Sequence, residues 1–220
     1  MQADVDTRQR LLDTAARCFG QHGFENVTVR DLCDDAKANV AAVNYHFGNK
    51  QGLYRAVIDR AVEAMRALDR EAREAGIGGS PEEQLRVYIR VFLQRLAVIG
   101  RNSWIHQIIG REFIEPTAEL DVLIEQGLRP RFEYLGGIVG ALIDAPAGDP
   151  RVLQCISSIQ SQFVMLVPSP AFNRVYQKFG RTPPSVDEIA EHIAVFSLAG
   201  IRALATPRRR RIGRRPKRKP

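Results

Sequence analysis

The 220-residue chain is poor in cysteine, and this limits the classes of protein it can belong to. Its three cysteines, Cys18, Cys33 and Cys155, form no CxxC pair, and an odd number cannot all pair within one chain. Each falls on an apolar helical stripe, so we expect buried thiols of a reduced protein rather than a disulfide scaffold. A redox-sensing thiol is the alternative.

Long hydrophobic runs are also missing. The longest apolar stretch is far shorter than the ~18 residues that a membrane-spanning helix needs, and the N-terminal MQADVDTRQR has no apolar segment of the signal-peptide type. We therefore expect a cytoplasmic protein with no membrane partner.

Positive charge is confined to one end of the chain. The net charge is +7, but residues 206–220 (TPRRRRIGRRPKRKP) contain nine Lys and Arg and no acid, which leaves 23 basic against 25 acidic residues elsewhere. A segment of this composition cannot bury apolar surface, so we expect residues 207–220 to form a disordered basic tail. A DNA-binding arm is the favoured interpretation, with a membrane-surface segment or a solvated extension as alternatives.

Helical spacing of apolar residues dominates the sequence, and no segment has a convincing strand pattern. We predict an all-α fold with a three-helix domain over residues 1–50, a connecting helix over 51–74 and a larger α-helical domain over 75–206. Asp6 is expected to begin the first helix, and AGIGGSP (75–81) marks the boundary between domains. In the larger domain we expect helices at 82–99, 102–114, 117–144, 149–166, 170–179 and 185–205.

Two short helices predicted at 28–36 and 39–47 form a helix-turn-helix, in which Thr28 and Asn39 are good N-caps. At about 100° per residue, the second helix turns Val40, Val43 and Phe47 inward. Its outward face carries small and hydrogen-bonding residues, namely Ala41, Ala42, Tyr45, Asn44 and His46. Small residues let a helix backbone approach base edges, and polar ones bind bases and phosphates. Helix pairs of this kind also occur in proteins that never bind DNA, so geometry alone leaves the choice open.

The segments RLLDTAARCFGQHGFENVTVRDLCDDA and VNYHFGNKQGLYRAVI, within residues 7–60, resemble the TetR/AcrR family of transcriptional regulators. The pattern Tyr-His-Phe-x-x-Lys-x-x-Leu carries most of the specificity. The resemblance implies that Thr28 and Lys50 anchor phosphates and that Arg30 reaches DNA from the supporting helix. It puts the reading positions at Ala41, Ala42, Asn44, Tyr45 and His46, and Asn39 completes the set of DNA-binding candidates.

This chain departs from the family pattern at two positions. The turn between the helices has Lys37 where the family usually has glycine. Asn44 replaces the first of two common aromatic residues, and an Asn can bind adenine with two hydrogen bonds.

The resemblance also implies that the larger domain dimerises and encloses an effector pocket. The pattern REF-IEPT (111–117) resembles the CecR-type subgroup. We expect helices 149–166 and 185–205 to form the dimer face, through Ile156, Ile159, Phe163, Leu166, Ile189, Ile193, Phe196 and Leu204, with some of these in the monomer core. Polar groups on apolar helices suggest the pocket, and the ligand-binding candidates are Trp104, Gln107, Ile108, Glu112, Phe113, Tyr134, Gln160 and Phe163.

Glu112 was predicted from its spacing to be half buried or more, and a buried carboxylate needs a partner. A structural ion pair with an Arg of another helix is favoured, and contact with a basic ligand is the alternative. No His, Cys, Asp or Glu set has metal-ligand spacing, so we expect no metal and no cofactor.

These observations predict a sequence-specific, DNA-binding transcriptional regulator. It would act as a homodimer on a palindromic operator in double-stranded DNA and leave it when an apolar or amphipathic small-molecule effector binds. An enzyme is disfavoured because the sequence lacks a glycine-rich phosphate loop, a nucleophile elbow and a paired-carboxylate site. An architectural DNA-binding protein driven by the tail, and a helical adaptor for a protein partner, are the rival hypotheses.

If the tail is a DNA-binding arm, deleting residues 207–220 will weaken binding to every duplex alike and flatten its salt dependence, because released counterions set that slope. Fluorescence anisotropy at several salt concentrations measures both effects. An unchanged slope would exclude the arm.

Overall fold

A computed structural model describes residues 2–100, 103–166 and 169–205, and every regular element in these ranges is helical. The all-α prediction is thus confirmed for this part of the chain, while the predicted basic tail lies outside the described residues. The helices are α1 (Gln2–His22), α2 (Val29–Ala36), α3 (Val40–Phe47), α4 (Lys50–Ala75), α5 (Pro81–Ile99), α6 (Trp104–Ile114), α7 (Leu120–Val122), α8 (Arg129–Ile143), α9 (Pro150–Leu166), α10 (Pro170–Lys178) and α11 (Val186–Leu204). None of the described helices is long and apolar enough to cross a membrane.

Side-chain caps explain where most helices begin. Capping boxes, in which a Ser or Thr and an acidic residue three positions later bond each other's backbone N–H groups, begin α2, α5 and α11. The prediction for α1 was wrong, because the helix begins at Gln2 rather than at Asp6. Asp6 lies inside the helix and pairs with Arg10 one turn later, so its carboxylate does not cap the helix.

The helix predicted at 117–144 begins at Leu120 and widens into a π-helical segment, Leu123–Leu128, before α8. Pro130 explains the change, since proline has no N–H to donate to the carbonyl one turn earlier. Arg66 of α4 supplies a replacement donor, with its Nε 2.9 Å from the Gln126 carbonyl oxygen. Arg73 donates to the carbonyl of Pro130 itself, so α4 binds this irregular segment at two points.

The described residues form two hydrophobic cores, and α4 contributes to both. The N-terminal core joins α1, α2, α3 and the first part of α4, and it also includes Ile108 of α6 and Leu123. The C-terminal core joins α5, α8, α9 and α11 with Ala72 of α4. The helix-turn-helix is therefore packed directly on part of the larger domain, and α6 is the helix that lies between the two.

Candidate DNA-binding face and effector cavity

The turn between α2 and α3 contains a left-handed backbone conformation of the kind that glycine usually adopts, here at Lys37. Lys37 ends α2 in the left-handed conformation at φ 50°, which costs a residue with a Cβ atom about 1 kcal/mol. Its N–H donates to the Asp34 carbonyl and that of Ala38 to the Cys33 carbonyl at 2.9 Å. These bonds satisfy carbonyls at the end of α2, so the turn closes with Lys37 in the left-handed position.

Helix α3 presents a polar outer face to solvent. Asn39 caps it, its Oδ1 accepting the Ala42 N–H at 2.8 Å, and Val43 is buried in the N-terminal core. Ala41, Asn44 and Tyr45 are exposed, and Tyr45 retains 77% of its accessible surface. At these three positions the side chains are exposed, as the prediction of a reading face requires.

Three residues of α3 lie elsewhere than the periodicity predicted. Val40 was expected to pack inward but is 49% exposed, because it occupies the first turn, beyond the edge of the core. Ala42 was expected to face outward but is half buried against the N-terminal core. The His46 side chain is only 7% exposed, and its Nε2 lies 3.3 Å from Asp4 Oδ1. The extra first turn of α1 brings Asp4 to that position.

The predicted phosphate contacts lie at the starts of α2 and α4, the helices before and after α3. Thr28 is exposed and forms the capping box of α2, and the hydrogen bonds from its hydroxyl and N–H lower the pKa of Asp31. Arg30 is exposed and has no ion-pair partner among the described residues. The Lys50 ammonium lies 4.3 Å from the centre of the Phe24 ring, at the N-terminus of α4. Sequence reasoning missed Arg8, an exposed cation 5.2 Å from the Phe47 ring, because nothing marks α1 as part of the same surface.

A buried carboxylate connects α6 to the start of α4. Glu112 is fully buried and accepts hydrogen bonds from the Tyr54 hydroxyl, from Thr117 N–H (3.1 Å) and from Thr117 Oγ1 (2.9 Å). Burial, together with the adjacent Glu112 carboxylate, raises the pKa of Tyr54, which keeps its hydroxyl a donor. The favoured prediction of an arginine partner was therefore wrong, since donors from Tyr54 and Thr117 satisfy the carboxylate.

A second carboxylate strengthens the same junction. Glu119 accepts a hydrogen bond from Gln51 Nε2 at 2.9 Å and pairs with Arg55 Nη1 at 3.0 Å. Gln51, Tyr54 and Arg55 all belong to the first two turns of α4, directly after α3. The segment 112–119 is thereby bound to the first two turns of α4.

Helix α6 also contacts α1. A Cβ atom on Gly20 would lie 3.0 Å from Gln107 Oε1, and Arg111 Nη2 donates to the Gln21 carbonyl at 2.7 Å. Ile108 and Trp104 pack on the N-terminal core. Four predicted ligand contacts, Trp104, Gln107, Ile108 and Glu112, therefore face the DNA-binding domain and not a cavity.

The opposite side of α6 lines a cavity of about 270 Å³ between α4, α5, α6, α8 and α9. Phe113, Gln160 and Phe163 of the predicted set meet there, with Phe92, Phe132 and Met65 among the apolar walls. Tyr134 does not join them. It lines a separate groove with Arg66, Arg70 and Arg73, where the Arg73 guanidinium lies 4.7 Å from its ring centre.

The sequence analysis did not find a buried polar cluster that reaches this cavity through Arg131. Arg131 Nε donates to both oxygens of Asp69, at 2.9 and 3.2 Å, and the Tyr88 hydroxyl donates to Asp69 at 3.0 Å. All three side chains are buried, and burial raises the pKa of Tyr88. An i, i+62 pair leaves no local signal in a sequence. Among the described residues, no group of His, Cys, Asp or Glu is arranged to hold a metal ion.

Comparisons with known proteins match the N-terminal and C-terminal parts of the chain to two different family models. Residues 11–57 match the model for bacterial regulatory proteins of the tetR family, and residues 81–201 match the C-terminal domain of the HTH-type transcriptional dual regulator CecR. The CecR of Shigella flexneri is 26% identical over 154 residues, covering 66% of this chain and 69% of that protein.

A protein of Escherichia coli (strain K12) named "Probable acrEF/envCD operon repressor" is 35% identical over 105 residues, or 48% of this chain. The match spans about half the length of that relative, 47%. The crystal structure of a TetR-like transcriptional regulator from Rhodococcus sp. RHA1 superposes with a TM-score of 0.61 at 19% identity, covering 89% of this chain and 95% of that one. This structural likeness supports the fold.

Replacing Tyr54 by Phe will destabilise the protein by about 1–3 kcal/mol, because the buried Glu112 loses a donor that nothing replaces. Tyr45→Phe, which removes the hydroxyl of an exposed tyrosine, is the matched control and should change stability by less than about 0.5 kcal/mol. Urea denaturation followed by circular dichroism measures both. Equal stability of the two variants would show that the Glu112 network does not hold the domains together.

Proposed function

This chain belongs to the TetR family of transcriptional regulators, with a CecR-type C-terminal domain, and we propose that it is a ligand-responsive repressor that reads a palindromic operator as a homodimer. DNA binding and transcriptional regulation are what the family membership establishes. Repression, the reading residues, the dimer face and the response to an effector are the proposal. The observation that carries it is the exposed polar face of α3. The next helix, α4, is hydrogen-bonded to α6, and α6 lines a cavity.

Base reading is assigned to Asn44 and Tyr45. Both are exposed on α3, and Ala41 beside them has no bulk to hold the helix away from the base edges. Thr28, Arg30 and Lys50 would bind the phosphates on either side, with Arg8 as an additional cation. Asn39 acts mainly as the cap of α3. His46 would orient the helix through Asp4, because its side chain is turned away from solvent.

Effector binding is assigned to the cavity behind α6. One face of α6 lines the cavity, and the other contacts α1 and the first turns of α4. A ligand that moves α6 would consequently move the helix-turn-helix. The shift of the equilibrium cannot exceed the difference in the ligand's affinity for the two arrangements.

Dimerisation is assigned to the outer faces of α9 and α11. Ile156, Ile159, Phe163, Ile189 and Ile193, predicted for this face, lie instead in the C-terminal core, because periodicity does not separate a core from an interface. Phe196 and Leu204 are exposed, as are Leu153 and Val195. A shallow depression of about 310 Å³ runs between the two helices beside Gly200. Two copies joined here would present two α3 helices to successive major grooves, about 34–36 Å apart.

Wild-type protein should bind the duplex from its own upstream intergenic region about 10³-fold more tightly than a scrambled duplex. Asn44→Ala and Tyr45→Ala should each weaken operator binding by roughly 5- to 100-fold and leave scrambled binding unchanged. Lys50→Ala should weaken both and lower the salt slope by about one. Phe179→Ala, directly after α10, removes an equally exposed ring outside residues 1–50 and is the control.

Fluorescence anisotropy at near-physiological salt measures these affinities. Equal affinity of the wild type for both duplexes would favour the architectural alternative, in which the basic tail supplies the binding. Unchanged operator affinity of Tyr45→Ala and Asn44→Ala would overturn the assignment of α3 as the reading helix.

Phe196→Glu should convert the dimer into a folded monomer, because a charge placed on a 65% exposed phenylalanine would be buried at the interface without a partner. Sedimentation velocity reports the mass, and circular dichroism checks that helix content is retained. Phe179→Glu, which changes another exposed ring directly after α10, should remain dimeric. A dimeric Phe196→Glu would place the interface elsewhere.

A further inference from the structure

Two of the three polar residues that line the proposed effector cavity, Arg131 and Gln160, carry N–H donors. Gln160 Nε2 is buried and makes no hydrogen bond of ordinary length and angle among the described residues, although the Tyr88 hydroxyl lies near this side chain. Within the same part of the chain, Arg131 donates only from Nε, to Asp69, so its two terminal nitrogens have no acceptor. His106, the other polar residue of the lining, is hydrogen-bonded to Ser103 at 2.8 Å. A buried donor without an acceptor is unfavourable, and a bound acceptor would remove that cost.

The charge of the cavity wall is balanced. The Arg131 guanidinium is neutralised by the buried Asp69 carboxylate, which the Tyr88 hydroxyl also donates to. A ligand anion at Arg131 would lie close to that carboxylate and would lose its own hydration. A neutral oxygen accepts from the same nitrogens without either cost.

The remaining walls favour a flat apolar body. Phe92, Phe113, Phe132 and Phe163 line the cavity, and the Arg131 guanidinium covers the Phe92 ring at 4.7 Å. The volume of about 270 Å³ is nearly twice that of an engineered cavity, about 150 Å³, which holds benzene. A bicyclic ring system of roughly ten non-hydrogen atoms therefore fits this space.

We propose that the cavity binds a small, neutral, largely aromatic molecule that carries one carbonyl-type oxygen, and that Gln160 selects this oxygen. The inference rests on the proposed effector role of the cavity and specifies the ligand class. Phe113 of α6 and Met65 of α4 are walls of the same space, so such a ligand touches both helices that hold the DNA-binding domain.

Three probes of similar shape test the ligand class: indanone, which has a neutral carbonyl, indane, which has no acceptor, and indanecarboxylate, which is an anion. Isothermal titration calorimetry with the full-length dimer should give indanone about tenfold tighter than indane, as one net hydrogen bond predicts. Indanecarboxylate should bind more weakly than indanone.

The variant Gln160→Leu keeps the size of the side chain and removes the amide. It should bind indane at least as tightly as the wild type and lose the preference for indanone. Gln177→Leu, an exposed position in α10, should behave like the wild type. Because indane binding also reports an intact cavity, a misfolded Gln160→Leu protein would be recognised by its failure to bind indane.

Each outcome separates this inference from the proposed function. Equal affinity of the wild type for indane and indanone, or tighter binding of the anion, overturns the ligand class and leaves DNA binding untouched. Absence of binding by all three probes overturns the cavity as a site for molecules of this size. Selective indanone binding that leaves a labelled operator bound would support the ligand class and count against the effector response.

Discussion

The fully buried carboxylate of Glu112 is the constraint on which the coupling of the two domains depends. A carboxylate removed from water is costly unless donors surround it, and here the donors come from Tyr54 of α4 and from Thr117. Satisfying Glu112 thus fixes α6 against the start of α4. The neighbouring Glu119 repeats the arrangement with Gln51 and Arg55. One set of hydrogen bonds therefore joins the start of α4, which directly follows α3, to α6, which lines the cavity.

Local chemistry made the helix-turn-helix predictable from sequence. Thr28, Asn39 and Asn49 cap the helices they were expected to cap, because capping depends on residues three positions apart. The same locality explains the agreement on α5, α9 and α11, whose ends are marked by Ser, Pro and Gly. The position of the His46 side chain could not be predicted in this way. It lies beside Asp4, 42 positions earlier in the chain, in a first turn of α1 that the sequence pattern did not predict.

The cavity could be predicted only in part, and α6 shows why. Ile105, Ile108, Ile109 and Phe113 surround most of this helix, so periodicity gives no single apolar face and cannot say which side meets which domain. Ile108 is buried against the DNA-binding domain while Ile105 and Phe113 line the cavity. The pairing of Asp69 with Arg131 could not be predicted from sequence at all. Each residue resembles an ordinary exposed charge in the sequence, and only the fold brings the two side chains within 2.9 Å. Five of the residues predicted for the dimer face lie in the C-terminal core, because a core and an interface have the same hydrophobic pattern.

The arrangement of bonds along α4 limits how a ligand signal can travel. Near its start, Tyr54 and Arg55 tie α4 to the segment 112–119, and α6 is in turn tied to α1 through Arg111. These parts must move as one body, because separating them would expose Glu112. Farther along α4, Asp69 is held by Arg131 and Tyr88 in the C-terminal core. Between these two groups of bonds lies Met65, a wall of the cavity, and Arg66 directly after it binds the Gln126 carbonyl. A ligand bound in the cavity as proposed would contact both Met65 and α6, and through α4 it would act on the helix that directly follows α3.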